Sequence, residues 1–333
     1  ENLSLAVTAT VSRSDTLSGD TLIDRMAARL RTLRPTGRIG GEAGAGGADF
    51  GRIADVTVDR TGRILVLDDQ DKSITRWTAQ GRPAGRFGRA GGGPLEFQYP
   101  ARLAVQDDGT LLVVDRAVGI KRFRWDTSAT LRDTWSPGRG GEAICAHGAE
   151  VTMVGLEGEG TLTQVFNAHG IRMRGIGAPY QDPAPFTRRL LSSGNVGCLP
   201  DGRIVTTMHI LPFVRFWSAT GAPEMTTRFR DFHPMAVEET GRGLTYSMPP
   251  TGYHAIRALT PLGRDLLLVQ IFFKDGESTR EQAEYRELQT YLISTRTGRG
   301  VFIGTSLPLI LPLPDGGFVG WRNDPVPEVV FLR

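Results

Sequence analysis

The sequence predicts an all-β fold, a six-bladed β-propeller of four-stranded blades. Three observations lead to this prediction. Turn-forming residues are abundant, with 42 Gly and 20 Pro among 333 residues, which favours many short strands over long helices. A strand pattern that begins at Phe50 begins again at Phe97, and weaker copies follow. Finally, the two ends of the repeated region complement one another.

The repeat consists of alternating apolar residues, a glycine turn and a second alternation, as expected for a β-hairpin with one buried face. A later marker, an aromatic residue followed four positions on by glycine, indicates the turn between a third and a fourth strand. It occurs at Trp77/Gly81, Phe166/Gly170 and Trp217/Gly221. The first turn recurs six times, which predicts six blades, and its glycines are Gly62, Gly109, Gly148, Gly202, Gly263 and Gly316.

The chain ends on residues 329–332, which form a third strand with no fourth strand after it. Residues 34–40 form a fourth strand with no third strand before it. A closed ring needs such a circular complement, whereas an open solenoid has no use for it. We therefore predict that an N-terminal strand completes the last blade, with a propeller at 34–333 and a separate arm at 1–33.

The segment 91–100, Gly-Gly-Gly-Pro-Leu-Glu-Phe-Gln-Tyr-Pro, is followed by Asp-Asp-Gly at 107–109 and Val-Val-Asp at 113–115. This series resembles the NHL repeat, as does the segment 62–77. The resemblance fades from the third blade onwards, and blades 5 and 6 lack the Val-x-Asp element. It implies a six-bladed NHL-type propeller, in a family that includes ligand-binding sensors, scaffolds, and a few lyases and hydrolases. Fold alone does not choose among these functions.

The N-terminal arm has a weak strand pattern at 3–11 and an amphipathic helix pattern at 20–33. Arg25 and Arg29 lie off the apolar stripe of this helix. The helix either packs on the side of the propeller or binds a partner or a membrane surface. The stripe consists of Leu22, Ile23, Met26, Leu30 and Leu33.

Charge and hydropathy exclude several classes of protein. The 39 basic and 36 acidic residues give a net charge of +3, and the basic residues are scattered along the chain, which disfavours nucleic-acid binding. Apolar stretches fall far short of the roughly 20 residues that cross a bilayer, so we expect no transmembrane segment. The chain starts at Glu1 without a signal sequence, which predicts a processed, extracytoplasmic protein, periplasmic or secreted, or else a trimmed start.

Long insertions fall on one face of the predicted propeller, at 178–195, 231–253 and 275–287, before and within blades 4 and 5. Insertions longer than about 12 residues are uncommon unless they bind or cover something. We expect a protein interface here, together with Arg25 and Arg29 of the arm, or else a satellite core packed over the rim. The candidate interface residues are Tyr180, Phe186, Arg188, Arg189, His233, Tyr246, Met248 and Tyr253.

Common catalytic signatures are missing from the sequence, which has no Gly-x-Ser-x-Gly, His-Glu-x-x-His or Walker motif. The leading interpretation is a non-enzymatic binding or scaffold propeller without a cofactor. Its partners would be proteins, as in an extrinsic subunit of a membrane-bound photosynthetic or respiratory complex. One alternative is a metal-dependent lyase or hydrolase with His209, His233 and His254 at the mouth of the channel. Another is a sensor of a small ligand or glycan.

Cys145 and Cys198 are too few for a disulfide scaffold, and they permit one bridge at most. Cys198 corresponds to core positions of the earlier blades, so a buried free thiol is favoured over a bridge. Asp68 and Asp115 occupy one repeated position, which predicts that they cap strand ends rather than bind calcium.

Overall fold

The structure, a computed structural model, describes residues 7–41, 48–138, 140–156, 160–180, 185–240, 243–247, 251–274 and 287–333. Six small four-stranded sheets are arranged in a ring, which confirms the predicted six-bladed β-propeller. The chain divides into two compact units. The first comprises Glu1–Thr32, Met153–Gln164 and Arg174–Leu307, and the second Leu33–Thr152, Val165–Met173 and Pro308–Arg333.

The N-terminal region provides β1 (Ala9–Val11), α1 (Thr21–Thr32) and β2 (Pro35–Gly40). Blades 1 and 2 contain β3 (Ile53–Val58), β4 (Ile64–Asp68), β5 (Ser73–Trp77), β6 (Pro83–Phe87), β7 (Pro100–Val105), β8 (Leu111–Asp115), β9 (Gly119–Trp125) and β10 (Ala129–Trp135). Blades 3 and 4 contain β11 (Gly140–His147), β12 (Glu150–Leu156), β13 (Thr163–Phe166), β14 (Arg172–Ile176), α2 (Pro185–Leu191), β15 (Gly194–Cys198), β16 (Ile204–Met208), β17 (Phe213–Trp217) and β18 (Pro223–Phe229). A hairpin and blades 5 and 6 follow as β19 (Ala236–Thr240), β20 (Gly243–Ser247), β21 (Tyr253–Leu262), β22 (Leu266–Lys274), β23 (Glu287–Ser294), β24 (Gly300–Gly304), β25 (Leu309–Pro312), β26 (Phe318–Arg322) and β27 (Glu328–Leu332).

Strands follow chain order within a blade, except in blade 6, where the order is β2-β27-β26-β25. Strand β2 pairs antiparallel with β27, with Arg38 opposite Val330, which confirms the predicted closure of the ring. All six predicted turn glycines have a positive φ, from 59° at Gly148 to 88° at Gly316. A residue with a Cβ would be strained in these turns, so the repeated glycine is a backbone requirement.

Each unit has its own apolar core. In the first unit the core joins blades 4 and 5, and Phe216 and Leu267 are fully buried in it. In the second unit, one cluster joins blades 6 and 1, and another joins blades 1 and 2. Phe97 and Phe123 of the latter cluster are fully buried, with ring centroids 5.9 Å apart. Each such ring contributes about 2 kcal/mol by leaving water.

Asp68 and Asp115 hold the chain where blades 1 and 2 begin. The buried carboxylate of Asp115 accepts the N–H groups of Gln98 at 2.8 Å and Tyr99 at 3.0 Å. Asp68 accepts the N–H of Gly51 at 2.7 Å in the same way. These bonds confirm that both residues cap the strand ends.

The arm packs within the first unit. Strand β1 adds in parallel to β18, and α1 packs on β23 and β24. The carboxylate of Asp20 caps α1 by accepting the N–H of Leu22 at 2.9 Å. The buried stripe of the helix is Ile23, Ala27 and Leu30. Leu22 is 42% exposed, so its predicted place on the stripe was wrong, and Ala27 lies there instead.

The described part of the chain has no helix long and apolar enough to cross a membrane. The division into an arm at 1–33 and a propeller at 34–333 stays a prediction.

Cys145 and Cys198 are both disulfide-bonded, and because the sequence has two cysteines they are bonded to each other. The expectation of a buried free thiol was therefore wrong. It treated Cys198 as a core residue, whereas both cysteines are only half-buried.

Candidate functional site

The long connections of blades 4 and 5 belong to the first unit. The connection before blade 4 forms α2, the connection before blade 5 forms the β19–β20 hairpin, and α2 contacts β19. Residues 275–286, most of the third insertion, lie outside the described residues. We call the surface made by residues 177–193, 209–215 and 230–256, as far as the structure describes them, the loop face.

Hydrogen bonds around His209 connect blades 4 and 5 at the loop face. The His209 N–H donates to the carbonyl of Ser193 at 2.9 Å, and the Ile256 N–H donates to the carbonyl of His209 at 2.8 Å. Nδ1 of His209 lies 2.8 Å from the Ile256 carbonyl, so this nitrogen carries the ring proton. The Asn195 amide donates to the same carbonyl at 3.1 Å. The arrangement fixes the start of β21 relative to the turn after β16.

His233 and His254 lie side by side where blade 5 begins, with ring centroids 5.2 Å apart. His254 is only 4% exposed. Its N–H donates to the His233 carbonyl at 2.8 Å, and its Nδ1 accepts the His233 N–H at 2.9 Å. Its Nε2 lies 3.0 Å from the side-chain amide of Gln289. Because Nδ1 is an acceptor, neutral His254 carries its proton on Nε2, on the side of Gln289.

Aromatic side chains enclose His254, with ring centroids at 4.8 Å for Phe273 and 5.4 Å for Phe232. Burial lowers the pKa of His254 to about 4, and electrostatic interaction with His233 and Arg13 acts in the same direction. His254 is therefore uncharged near neutral pH.

The predicted alternative of a metal site at His209, His233 and His254 gains no support. Within the residues that the structure describes, no group of three or more His, Cys, Asp or Glu side chains could hold a metal ion. One ring nitrogen of His254 faces the His233 backbone and the other faces Gln289. A metal ligand needs a nitrogen lone pair directed at the ion. The pair is a hydrogen-bonded packing cluster.

The arm reaches this cluster through Asp231. Its Oδ2 accepts the hydroxyl of Ser12 at 2.7 Å and the N–H of Arg13 at 2.8 Å. Burial alone would raise the pKa of Asp231, but these hydrogen bonds hold it below its usual value. The Arg13 guanidinium lies 3.1 Å from the Glu287 carboxylate. The arm thus contacts Asp231, at the start of the insertion before blade 5, and Glu287, at the end of the insertion within blade 5.

A second polar group lies on blade 4. The Cζ atom of Arg215 lies 5.2 Å from the ring centroid of Tyr180 and 6.0 Å from that of Phe213. Tyr180 is half-buried, and this burial raises the pKa of its hydroxyl. The guanidinium is therefore held against two aromatic rings of the loop face.

Several of the predicted interface residues lie on the loop face. Tyr180 and His233 belong to the two groups just described, and Tyr253 begins β21. Arg188 and Arg189 are exposed on α2, which also contains Phe186, whereas Tyr246 lies in β20. Met248 lies outside the described residues. Their role as an interface stays a prediction.

Arg25 and Arg29 are exposed on α1, which packs on β23 and β24. Sequence analysis missed Arg13, Arg215 and Gln289 because each lies in a strand or beside one. A signal existed for Arg215, since the repeat places it at the position of Lys121.

Comparison with known proteins finds the fold and not a family. No protein-family model and no curated protein sequence matches the chain. Among solved structures, it is similar to a predicted exported protein of Bacteroides fragilis, with TM-score 0.62, 10% identity, and 98% and 99% of the two chains covered. It is also similar to a DUF4221 family member from Bacteroides vulgatus, with TM-score 0.56, 7% identity, and 90% and 97% of the two chains covered. A third similar structure is U3-55K, with TM-score 0.54, 15% identity, and 84% and 94% of the two chains covered. At such identities the similarity shows the propeller fold alone.

Proposed function

We propose that the chain is a non-enzymatic, extracytoplasmic binding or scaffold propeller that docks a protein partner through the loop face of blades 4 and 5. Its setting would be an extrinsic subunit of a larger, membrane-bound complex. The observation that carries the proposal is the concentration of long connections in one unit, with aromatic and arginine side chains along them. Such side chains dominate the binding energy of protein interfaces.

The extracytoplasmic setting is supported by the Cys145–Cys198 disulfide, because disulfides persist in oxidising compartments and are rare in reducing ones. The similarity to a predicted exported protein of Bacteroides fragilis is in keeping with it. We also propose that the propeller is of the NHL type. The Val-x-Asp element ends β4 and β8, where its Asp68 and Asp115 cap the strands, as the repeat pattern of blades 1 and 2 requires.

The test is a gentle isolation of the protein from its source membranes and soluble fraction, followed by mass spectrometry of the chains that remain bound. We expect partner chains in fixed proportion. The double variant R188E/R189E reverses two exposed charges on α2, and we expect it to lose the partner while it still unfolds cooperatively on heating, as a folded protein does.

The matched control is R124E/R132E, which reverses two exposed charges on β9 and β10 of the second unit. It should retain the partner. Isolation of a chain without partners from both fractions would refute the scaffold function. Retention of the partner by R188E/R189E, or its loss from the control, would refute docking through the loop face.

A further inference from the structure

Among the described residues, no carboxylate serves as a counter-ion for the cation of Arg215. Its Nε is buried and has no hydrogen-bond partner, and in the part of the chain that the structure describes no carboxylate pairs with its guanidinium. Two aromatic rings flank it, those of Tyr180 and Phe213. Aromatic faces offset only part of the cost of removing a guanidinium from water.

The repeat provides an internal comparison. Arg215 lies two residues before Trp217 in β17, and Lys121 lies two residues before Phe123 in β9. Lys121 is 3% exposed, and its Nζ donates to the carbonyls of Gly93 at 2.9 Å and Glu96 at 2.6 Å. Both carbonyls belong to the connection before blade 2. The cation of blade 2 is thus satisfied by its own connection.

In blade 4 the equivalent connection offers Tyr180, an aromatic ring, where blade 2 offers carbonyl oxygens. A second polar atom nearby also lacks a partner. Thr226 lies directly opposite Arg215 in the sheet, so both side chains share one face, and its buried Oγ1 makes no hydrogen bond. Two buried polar atoms without partners in one row of the sheet are a place where a group from outside can complete the hydrogen bonds.

We propose that Arg215, flanked by Tyr180 and Phe213, binds a carboxylate of the protein partner at the loop face. Arg215 is only partly buried while its Nε is enclosed, so the terminal edge of the guanidinium is the part that meets a ligand. That edge presents two parallel N–H groups, which match the two oxygens of a carboxylate. A single guanidinium also matches one negative charge better than the two of a phosphate. The assignment of this carboxylate to a protein partner rests on the proposed function.

The test uses the isolated full-length protein, labelled with ¹⁵N, and follows the Arg215 Nε–Hε resonance by NMR. The resonance is assigned by its loss in Arg215→Gln. The probes are the capped peptides Ac-Ala-Glu-Ala-NH2 and Ac-Ala-Gln-Ala-NH2, the peptide Ac-Ala-Gln-Ala with a free carboxyl terminus, and inorganic phosphate, all at constant ionic strength. The free terminus distinguishes a terminal carboxylate from a side chain.

We expect saturable shifts with either carboxylate peptide and none with the capped glutamine peptide. Arg215→Lys, which keeps the charge but loses the parallel donors, should weaken binding about tenfold. Tyr180→Leu should weaken it about threefold. The control Arg124→Gln, which removes an exposed arginine that is paired with Asp126, should leave binding unchanged.

An unmoved Arg215 resonance, equal shifts with the glutamine peptide, or tighter binding of phosphate would each overturn the proposal. Since the peptides are measured without the native partner, the two proposals can fail separately. Peptide binding by a chain that isolates without partners would refute only the scaffold function. A partner that stays bound to Arg215→Gln would refute only the carboxylate site.

Discussion

We expect His254 to make the free energy of unfolding of the protein depend on pH between about 4 and 6.5. The ring is buried, accepts the N–H of His233, and contacts Phe273, so protonation would place a charge in an apolar site and remove an acceptor. The perturbation we consider is His254→Asn. The asparagine carbonyl keeps an acceptor near the position of Nδ1, but it does not titrate.

The sign follows from the two pKa values. The pKa of His254 is about 4 in the folded protein and 6.5 ordinarily, so the unfolded chain takes up the proton first as the pH falls. The stabilisation from neutral His254 is therefore complete above about pH 6.5 and decreases as the pH falls towards 4. Below about pH 4 the folded protein takes up the same proton, and the loss from this residue ends. The whole interval corresponds to about 3 kcal/mol.

Urea unfolding at several pH values between about 4 and 7.5 measures this effect as the difference between wild type and His254→Asn. The variant will be less stable at neutral pH because it loses the ring contact with Phe273. As the pH falls, the free energy of unfolding of the variant should then decrease less steeply than that of wild type. Between neutral pH and pH 4, the difference between the two free energies should change by about 3 kcal/mol in favour of the variant. His169→Asn, at an exposed turn position, is the control and should follow wild type. Parallel curves for wild type and His254→Asn would contradict the reasoning.

Two further predictions concern stability. Replacing Cys145 and Cys198 by Ser opens a loop of about 50 residues, and the loop-entropy relation gives a loss of about 4 kcal/mol, measured by denaturant unfolding with and without reductant. A variant whose unfolding matches that of the oxidised wild type would show that the bridge constrains little. Asp115→Asn turns an amide N–H towards backbone donors in a buried cap and should cost about 2 kcal/mol. Exposed Asp126→Asn should change the unfolding free energy by no more than about 0.5 kcal/mol, and equal effects of the two would contradict this explanation.

The fold was predictable because its determinants are local and repeated. A turn position with positive φ, such as that of Gly62, strongly favours glycine. The glycine pattern therefore persists where the rest of the repeat has diverged. Ring closure was predictable for a similar reason, because β2 and β27 are each incomplete without the other. The disulfide was misjudged because the half-buried state of Cys145 and Cys198 depends on neighbours that the repeat pattern does not specify.

The site was only partly predictable, since its contacts join residues far apart in the chain. Ser12 and Asp231 form one hydrogen bond across 219 positions, and nothing in the local sequence of either indicates the other. Tyr180 and His233 could be found, because long insertions rich in aromatic and basic residues are visible in a sequence. Their partners Arg215 and Gln289 lie in or at strands, where the alternation of polar and apolar residues conceals a special role.

The arm limits where a partner can bind to the first unit. A fourth strand normally presents unpaired backbone groups, to which another chain can add a strand. On β18 these groups are partly taken by β1, with Ala9 opposite Thr227 and Val11 opposite Phe229. On β24 they face α1, whose Arg31 donates to the Phe302 carbonyl at 2.7 Å. Because β18 and β24 are both covered in part by the chain itself, strand addition is disfavoured there, which supports the proposal that a partner docks through the loop face instead.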